Sequence, residues 1–319
     1  MTPFAALFPG QLSEQAGMGE GLYRRFPYVR ELVDEVSEAS GVDLPAVFFG
    51  EGSPALHDDR PAQAGVFAVS VGVLGALERE RGLVPSWAAG YSLGTYAAMV
   101  AAGCVETRAA LSVLLRVDEL LAQRGPSGAM GVVIGMTREA LAPWVAGVSN
   151  DPSALSIGNE NAAQQLVVTG EEGPVEALLA TVRPHALRAE RLPIRWPMHS
   201  PLLGPVADEV ARFVRDQVEV RAPSRCRLFA PMLGRAVETA EEAAEVLARQ
   251  VSRPSGWAGV LAGMAGEGAS LFAELGPGEV LSKMTRWTVR RARVAAVADP
   301  GSIERFAGLA ADVAAQEER

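Results

Sequence analysis

Histidine, lysine and cysteine are scarce in this chain: three, one and two among 319 residues. Two cysteines, Cys104 and Cys226, cannot build a disulfide framework. Both sit in apolar stretches, AAGCVE and SRCRLF, and read as reduced core thiols. There are no CxxC pairs, and His57, His185 and His199 are far apart in sequence, so no metal site is expected. No stretch approaches 18 uninterrupted apolar residues, so no membrane span is expected. The opening MTPFAALFPGQ lacks the basic and long apolar regions of a secretory signal. Basic charge is also short, with 29 Lys and Arg against 38 Asp and Glu, a formal net charge of −9. That balance argues against a protein that wraps nucleic acid through its phosphates. A cytoplasmic protein, monomeric, touching neither membrane nor nucleic acid, is the expectation.

What remains is an ordinary globular balance, 49% hydrophobic and 21% charged, sized for one large domain or two unequal ones. Pro3–Phe8 is a short apolar run stopped by Pro9-Gly10, the pattern of a buried strand. A helical pattern follows over Gln63–Glu80, then a strand over Ser86–Gly90 that leads straight into another helix. Arg108–Arg124 reads as an amphipathic helix. The middle changes character. Strand patterns at Ala129–Met136, Ala154–Ile157, Gln165–Thr169 and Ala186–Ile194 alternate with two helices, one begun by Thr137 and one over Glu172–Arg183. The order β-α-β-β-α-β is that of a ferredoxin-like unit. Gly158-Asn159-Glu160-Asn161 reads as the turn between its second and third strands. After Pro201, helices again alternate with short apolar runs. The fold class expected is therefore α/β. A large subdomain with a mostly parallel sheet spans residues 1–126 and 195–319, and a ferredoxin-like insert spans 127–194.

The strongest chemical signal is Gly90-Tyr91-Ser92-Leu93-Gly94, a GxSxG pentapeptide between an apolar strand and an Ala-rich helix. A serine on such a sharp turn stands clear of its neighbours, because glycines two residues away on each side carry no side chain. The helix start offers free N–H groups and a positive dipole end to a developing oxyanion. A serine nucleophile needs a base. His57 lies in a polar loop and His185 follows Pro184 ahead of a strand. His199, in Trp196-Pro197-Met198-His199, stands where the insert rejoins the body, a junction that borders a cleft. No acidic third member can be picked from the sequence, and a backbone carbonyl is an alternative orienting group.

In chain order, Phe8-Pro9-Gly10-Gln11, the Gly90–Gly94 elbow followed by Tyr96, Arg116, Asn159-x-Asn161, His199 and Leu275-Gly276-Pro277-Gly278 form a set. With these spacings the chain resembles the malonyl-CoA:acyl-carrier-protein transacylases and the acyltransferase domains of polyketide synthases, over essentially its whole length. The resemblance implies an α/β hydrolase-like body. It implies Ser92 as nucleophile and His199 as general base, held by a backbone carbonyl from the stretch Arg253-Pro254-Ser255-Gly256-Trp257. It implies backbone N–H groups of Gln11 and Leu93 as the oxyanion hole, and Arg116 as the group that grips a malonyl carboxylate, a role that suits a planar guanidinium. Gln63, Asn159 and Asn161 match polar positions of the family's site.

The chain also departs from that pattern. Tyr91 stands where the family usually has His, Leu12 where it has Gly, and Val117 where Gly usually follows the arginine. Trp196-Pro197-Met198 differs from the short motifs associated with malonyl or methylmalonyl selection. Tyr91 and Met198 thus become candidate acyl-pocket residues. The basic residues Lys283, Arg286 and Arg290, in SKMTRWTVRRAR, form either a solvated helix face or a patch that steers an acidic partner. The function implied is transfer of a malonyl or related acyl group from coenzyme A, through a serine ester, to the phosphopantetheine thiol of an acyl carrier protein. It would serve fatty-acid or trans-acting polyketide biosynthesis, with no bound cofactor. The alternatives are an editing acyl hydrolase acting on carriers, a transferase for a non-malonyl group, or a non-catalytic carrier-binding scaffold.

Overall fold

The computed structural model describes residues 3–317. Strands β1 (Ala5–Phe8) and β2 (Trp87–Gly90) come first. Then follow β3 (Ala129–Ile134), β4 (Leu155–Ala162), β5 (Gln165–Gly170) and β6 (Arg188–Arg191). The last are β7 (Arg227–Ala230), β8 (Arg235–Ala236), β9 (Leu271–Leu275) and β10 (Arg293–Val297). Six of them form one sheet in the order β10-β9-β1-β2-β7-β8, parallel except for β8 at the edge. Central strands of such a sheet are covered on both faces and read as continuous apolar runs. The β1 sequence AALF is buried at every residue.

Helix Asp59–Arg81 is long and apolar enough to cross a membrane by length and composition, yet 83% of its apolar window is buried inside the protein. It is a core helix. Alanines, valines and glycines let it lie close against its neighbours, and Gly82 at φ 63° ends it.

Glu274 is the one charged residue inside β9, and it is fully buried. Its carboxylate accepts the N–H groups of Leu281 and Ser282 at 3.1 and 2.8 Å, at the start of helix Val280–Thr288. An anion there satisfies orphaned donors and complements the helix dipole. Burial pushes the Glu274 carboxyl upward, against the pull of those N–H bonds. The sheet thereby fixes the helix that borders the active site.

The second sheet is antiparallel, in the order β4-β5-β3-β6. Strands β3 and β5 alternate cleanly. Ala129, Val133, Leu166 and Val168 pack under helices Arg138–Val148 and Glu172–Val182. Met130, Val132, Ile134 and Val167 face the other way and line a chamber against the body. The Thr137 hydroxyl caps the first of these helices by accepting the Ala140 N–H at 3.3 Å.

Two features differ from the sequence reading. Asn159 and Asn161 lie within β4 rather than in a turn. β4 runs on to Ala162 with register irregularities between Ile157 and Asn159 and between Glu160 and Ala162, and the tight turn falls at Ala163-Gln164. Bulges absorb residues that otherwise favour turns. Helices Pro27–Ser40 and Trp257–Gly266 are elements the sequence reading lacks. The first carried legible signals: Pro27 at its start, buried Val29, Val33 and Val36 at helical spacing, and Gly41 at φ 69° as its stop. The second holds three glycines, which weaken any helical signal, and tertiary packing around buried Trp257 decides its form.

Candidate active site

Strand β2 delivers the chain to a turn in which Ser92 adopts φ 52°, a conformation an L side chain rarely takes. A short 3-10 segment, Ser92–Gly94, passes directly into helix Thr95–Ala101. Both elbow glycines are sterically obligatory. A Cβ on Gly90 would stand 2.1 Å from the Gly94 carbonyl carbon, and one on Gly94 would stand 2.0 Å from the Phe8 oxygen. The pentapeptide spacing is thus the close packing of the turn against β1.

His199 is buried and also has positive φ, 61°. Its Nε2 lies 2.9 Å from Ser92 Oγ. Its Nδ1 lies 2.9 Å from the Gln250 carbonyl oxygen and 3.2 Å from that of Arg253. Carbonyl oxygens only accept, so Nδ1 carries the proton and Nε2 presents its lone pair to the serine hydroxyl. Among the described residues, no carboxylate takes part in this arrangement. Burial holds the imidazole below its ordinary pKa of 6.5, with the two carbonyls pulling the other way. The ring is therefore neutral, and a competent base, at pH 7. Arg253 belongs to the stretch that the resemblance implied. Gln250 does not; it was missed, and its signal is its place at the end of helix Ala240–Arg249, where carbonyls lack helical partners.

Ser92 and His199 open onto a chamber of about 410 Å³ between the two sheets. Gln11, Gln63, Tyr91, Leu93, Asn161 and Met198 all line it. The Leu93 N–H stands in the first turn of the 3-10 segment, where no intrahelical acceptor is available. The Gln11 side chain is turned aside, donating to Asp59 at 2.8 Å. Leu12, in the place of a glycine, holds φ 72° and donates its N–H to Glu14 at 2.8 Å. The Tyr91 hydroxyl donates to Asn161 Oδ1 at 2.9 Å, and the ring meets Trp257 edge-on at 5.5 Å. Burial pushes the Tyr91 hydroxyl up to about 12, so it stays protonated. This bond ties Tyr91, beside Ser92, to β4 of the antiparallel sheet.

Arg116 is not brought to the chamber. Its guanidinium lies in a separate surface groove with Ala39, Arg60 and Phe213, and donates to Glu119 at 2.6 Å. The helical register explains this: consecutive residues are turned by about 100°, and Val117 and Leu121 are the residues of helix Thr107–Arg124 that face the chamber. A resemblance drawn in sequence could not see that one-residue offset. Lys283 and Arg286 of helix Val280–Thr288, and Arg290 just after it, are exposed and outside the chamber, while Val280, Leu281 and Met284 of that helix line it. Trp287, 68% exposed, stands beside them on the same helix. His57 is exposed beside Glu14, and His185 stacks on Trp144, so neither serves the serine.

A family model described as an acyl transferase domain matches residues 6–316. The chain belongs to the acyl transferase domain family. This acyltransferase is 31% identical over 310 residues to the malonyl CoA-acyl carrier protein transacylase of Bacillus subtilis, covering 95% of this chain and 96% of that protein. It superposes on the acyl carrier protein S-malonyltransferase of Vibrio cholerae with a TM-score of 0.88 and 30% identity, over 96% of this chain and all of that one. A malonyl-transacylase solved in complex with the acyl carrier protein AntF of a type II polyketide synthase also superposes with a TM-score of 0.88. It is 29% identical, over 95% of this chain and 98% of its own. The mostly parallel sheet with its separate antiparallel sheet is the fold shared with these enzymes.

Proposed function

We propose that this acyltransferase carries its acyl group as an ester on Ser92, taking it from a coenzyme A thioester and giving it to the phosphopantetheine thiol of an acyl carrier protein. The observation that supports this reading most is the 2.9 Å contact between His199 Nε2 and Ser92 Oγ, with Nδ1 held by carbonyls. In the first half-reaction Oγ attacks the thioester carbonyl while its proton passes to Nε2. The oxyanion is met by backbone N–H groups of Leu93 and Gln11. Collapse breaks the C–S bond, and the Nε2 proton leaves with the coenzyme A thiol. The second half-reaction runs in reverse, with the carrier thiol as nucleophile and Ser92 as leaving group. Serine, histidine and backbone donors complete this chemistry without a resident cofactor.

A docking role for an acidic carrier is supported by Lys283 and Arg286, whose helix also borders the chamber, with Arg290 just beyond its end. A local basic face can orient an acidic partner on a protein whose net charge is −9. The relatives' names bring malonyl to this chain as the first donor to test. Hydrolysis of the ester remains the second reading. A grip of Arg116 on the acyl group would have argued against it, and Arg116 stands outside the chamber.

The test is to incubate the protein with a panel of acyl-CoA donors, record intact mass, and then add holo carrier protein. An acyl adduct on Ser92 that moves to the carrier supports transfer. An adduct that decays to free acid at the same rate with or without carrier supports hydrolysis.

A further inference from the structure

We propose that the chamber selects an uncharged, aliphatic acyl group. The inference rests on the acyl-serine reading above and concerns only what the serine carries. Val117 and Leu121 occupy the chamber wall on helix Thr107–Arg124, while the guanidinium of Arg116 is engaged with Glu119 in another groove. Among the described residues lining the chamber, the only formally charged side chains are Arg188 and Glu190. These two are bonded to each other and about half exposed, so neither presents an unpaired charge to an acyl group.

The rest of the wall is hydrocarbon, neutral amide or hydroxyl, apart from the His199 imidazole. Met130, Val132, Ile134 and Val167 come from the insert's inward face. The carbonyl oxygen of the Asn161 amide is already engaged by the Tyr91 hydroxyl. A carboxylate entering here leaves water without gaining a cationic partner, which disfavours it strongly. An alkyl chain entering the same space exchanges water for apolar walls, which favours it. Both effects act in the same direction.

The experiment follows coenzyme A thiol release and intact mass in parallel, with malonyl-, butyryl- and hexanoyl-CoA at equal concentration. Thiol release registers the acylation step even where the ester turns over. Wild-type protein is expected to be acylated by butyryl- and hexanoyl-CoA about 100-fold faster than by malonyl-CoA, or more. Val117→Arg, which puts a guanidinium where the chamber lacks one, is expected to raise the malonyl-to-butyryl ratio at least about tenfold. The wild-type panel decides the matter if that variant fails to fold. Malonyl-CoA reacting as fast as butyryl-CoA overturns the selectivity alone. Thiol release from none of the three donors overturns the acyl-serine reading, and this proposal with it.

Discussion

Replacing Tyr91 by Phe removes one oxygen and little else. The Phe ring keeps the edge contact with Trp257 at 5.5 Å. What is lost is the 2.9 Å hydrogen bond to Asn161 Oδ1, on a residue only 3% exposed. A buried acceptor left without its donor costs about 1–3 kcal/mol. The chamber adjoins this pair, so water can partly replace the hydroxyl, and the lower half of that range, about 1–2 kcal/mol, is expected. Equilibrium urea denaturation followed by circular dichroism measures it. A double-mutant cycle with Asn161→Ala isolates the pair, with an expected coupling of about 1 kcal/mol. The reasoning fails if Tyr91→Phe unfolds within about 0.3 kcal/mol of wild type, or if Asn161→Ala costs the same in both backgrounds.

Three further outcomes follow from the site. His199 must be neutral to take the serine proton, and burial lowers its pKa below 6.5. The acid limb of kcat/KM for acylation should therefore have its midpoint below 6.5; an acid limb centred above 6.5 contradicts the burial argument. Ser92 holds φ 52°, so Ser92→Gly should be more stable than Ser92→Ala by about 1 kcal/mol, the relief of strain less the added chain entropy. Thermal denaturation of the two inactive variants checks this, and equal stability counts against strain at the elbow. Reversing Lys283, Arg286 and Arg290 together to Glu should raise the KM for an acidic carrier at least about tenfold at low salt while leaving acylation by acyl-CoA near wild type. Unchanged carrier kinetics would remove that helix from the docking face.

Much of the fold was legible because its signals are local. The period-2 alternation of β3 and β5 and the β-α-β-β-α-β order mark the antiparallel unit. The apolar runs at β1, β2 and β9 mark strands covered on both faces. The Ser92 elbow was legible for the same reason: the two glycines around Ser92 are demanded by contacts within 2.2 Å that no side chain tolerates. His199 could be singled out by its place at a subdomain junction. Its distance from Ser92, and the role of Gln250, depend on where a helix end falls, 51 residues along the chain from the histidine. Arg116 shows the opposite limit. Sequence places an arginine within one residue of a wall position, but a helix turns by about 100° at each residue, and only packing decides which of Arg116 and Val117 faces the cavity.

The most direct test of the central claim is the mass of the protein after brief exposure to an acyl-CoA, followed by peptide mapping of the adduct. The account predicts a single acyl group on Ser92, absent in Ser92→Ala and formed several orders of magnitude more slowly in His199→Ala. Acylation that persists in Ser92→Ala, or that maps to another residue, would contradict it.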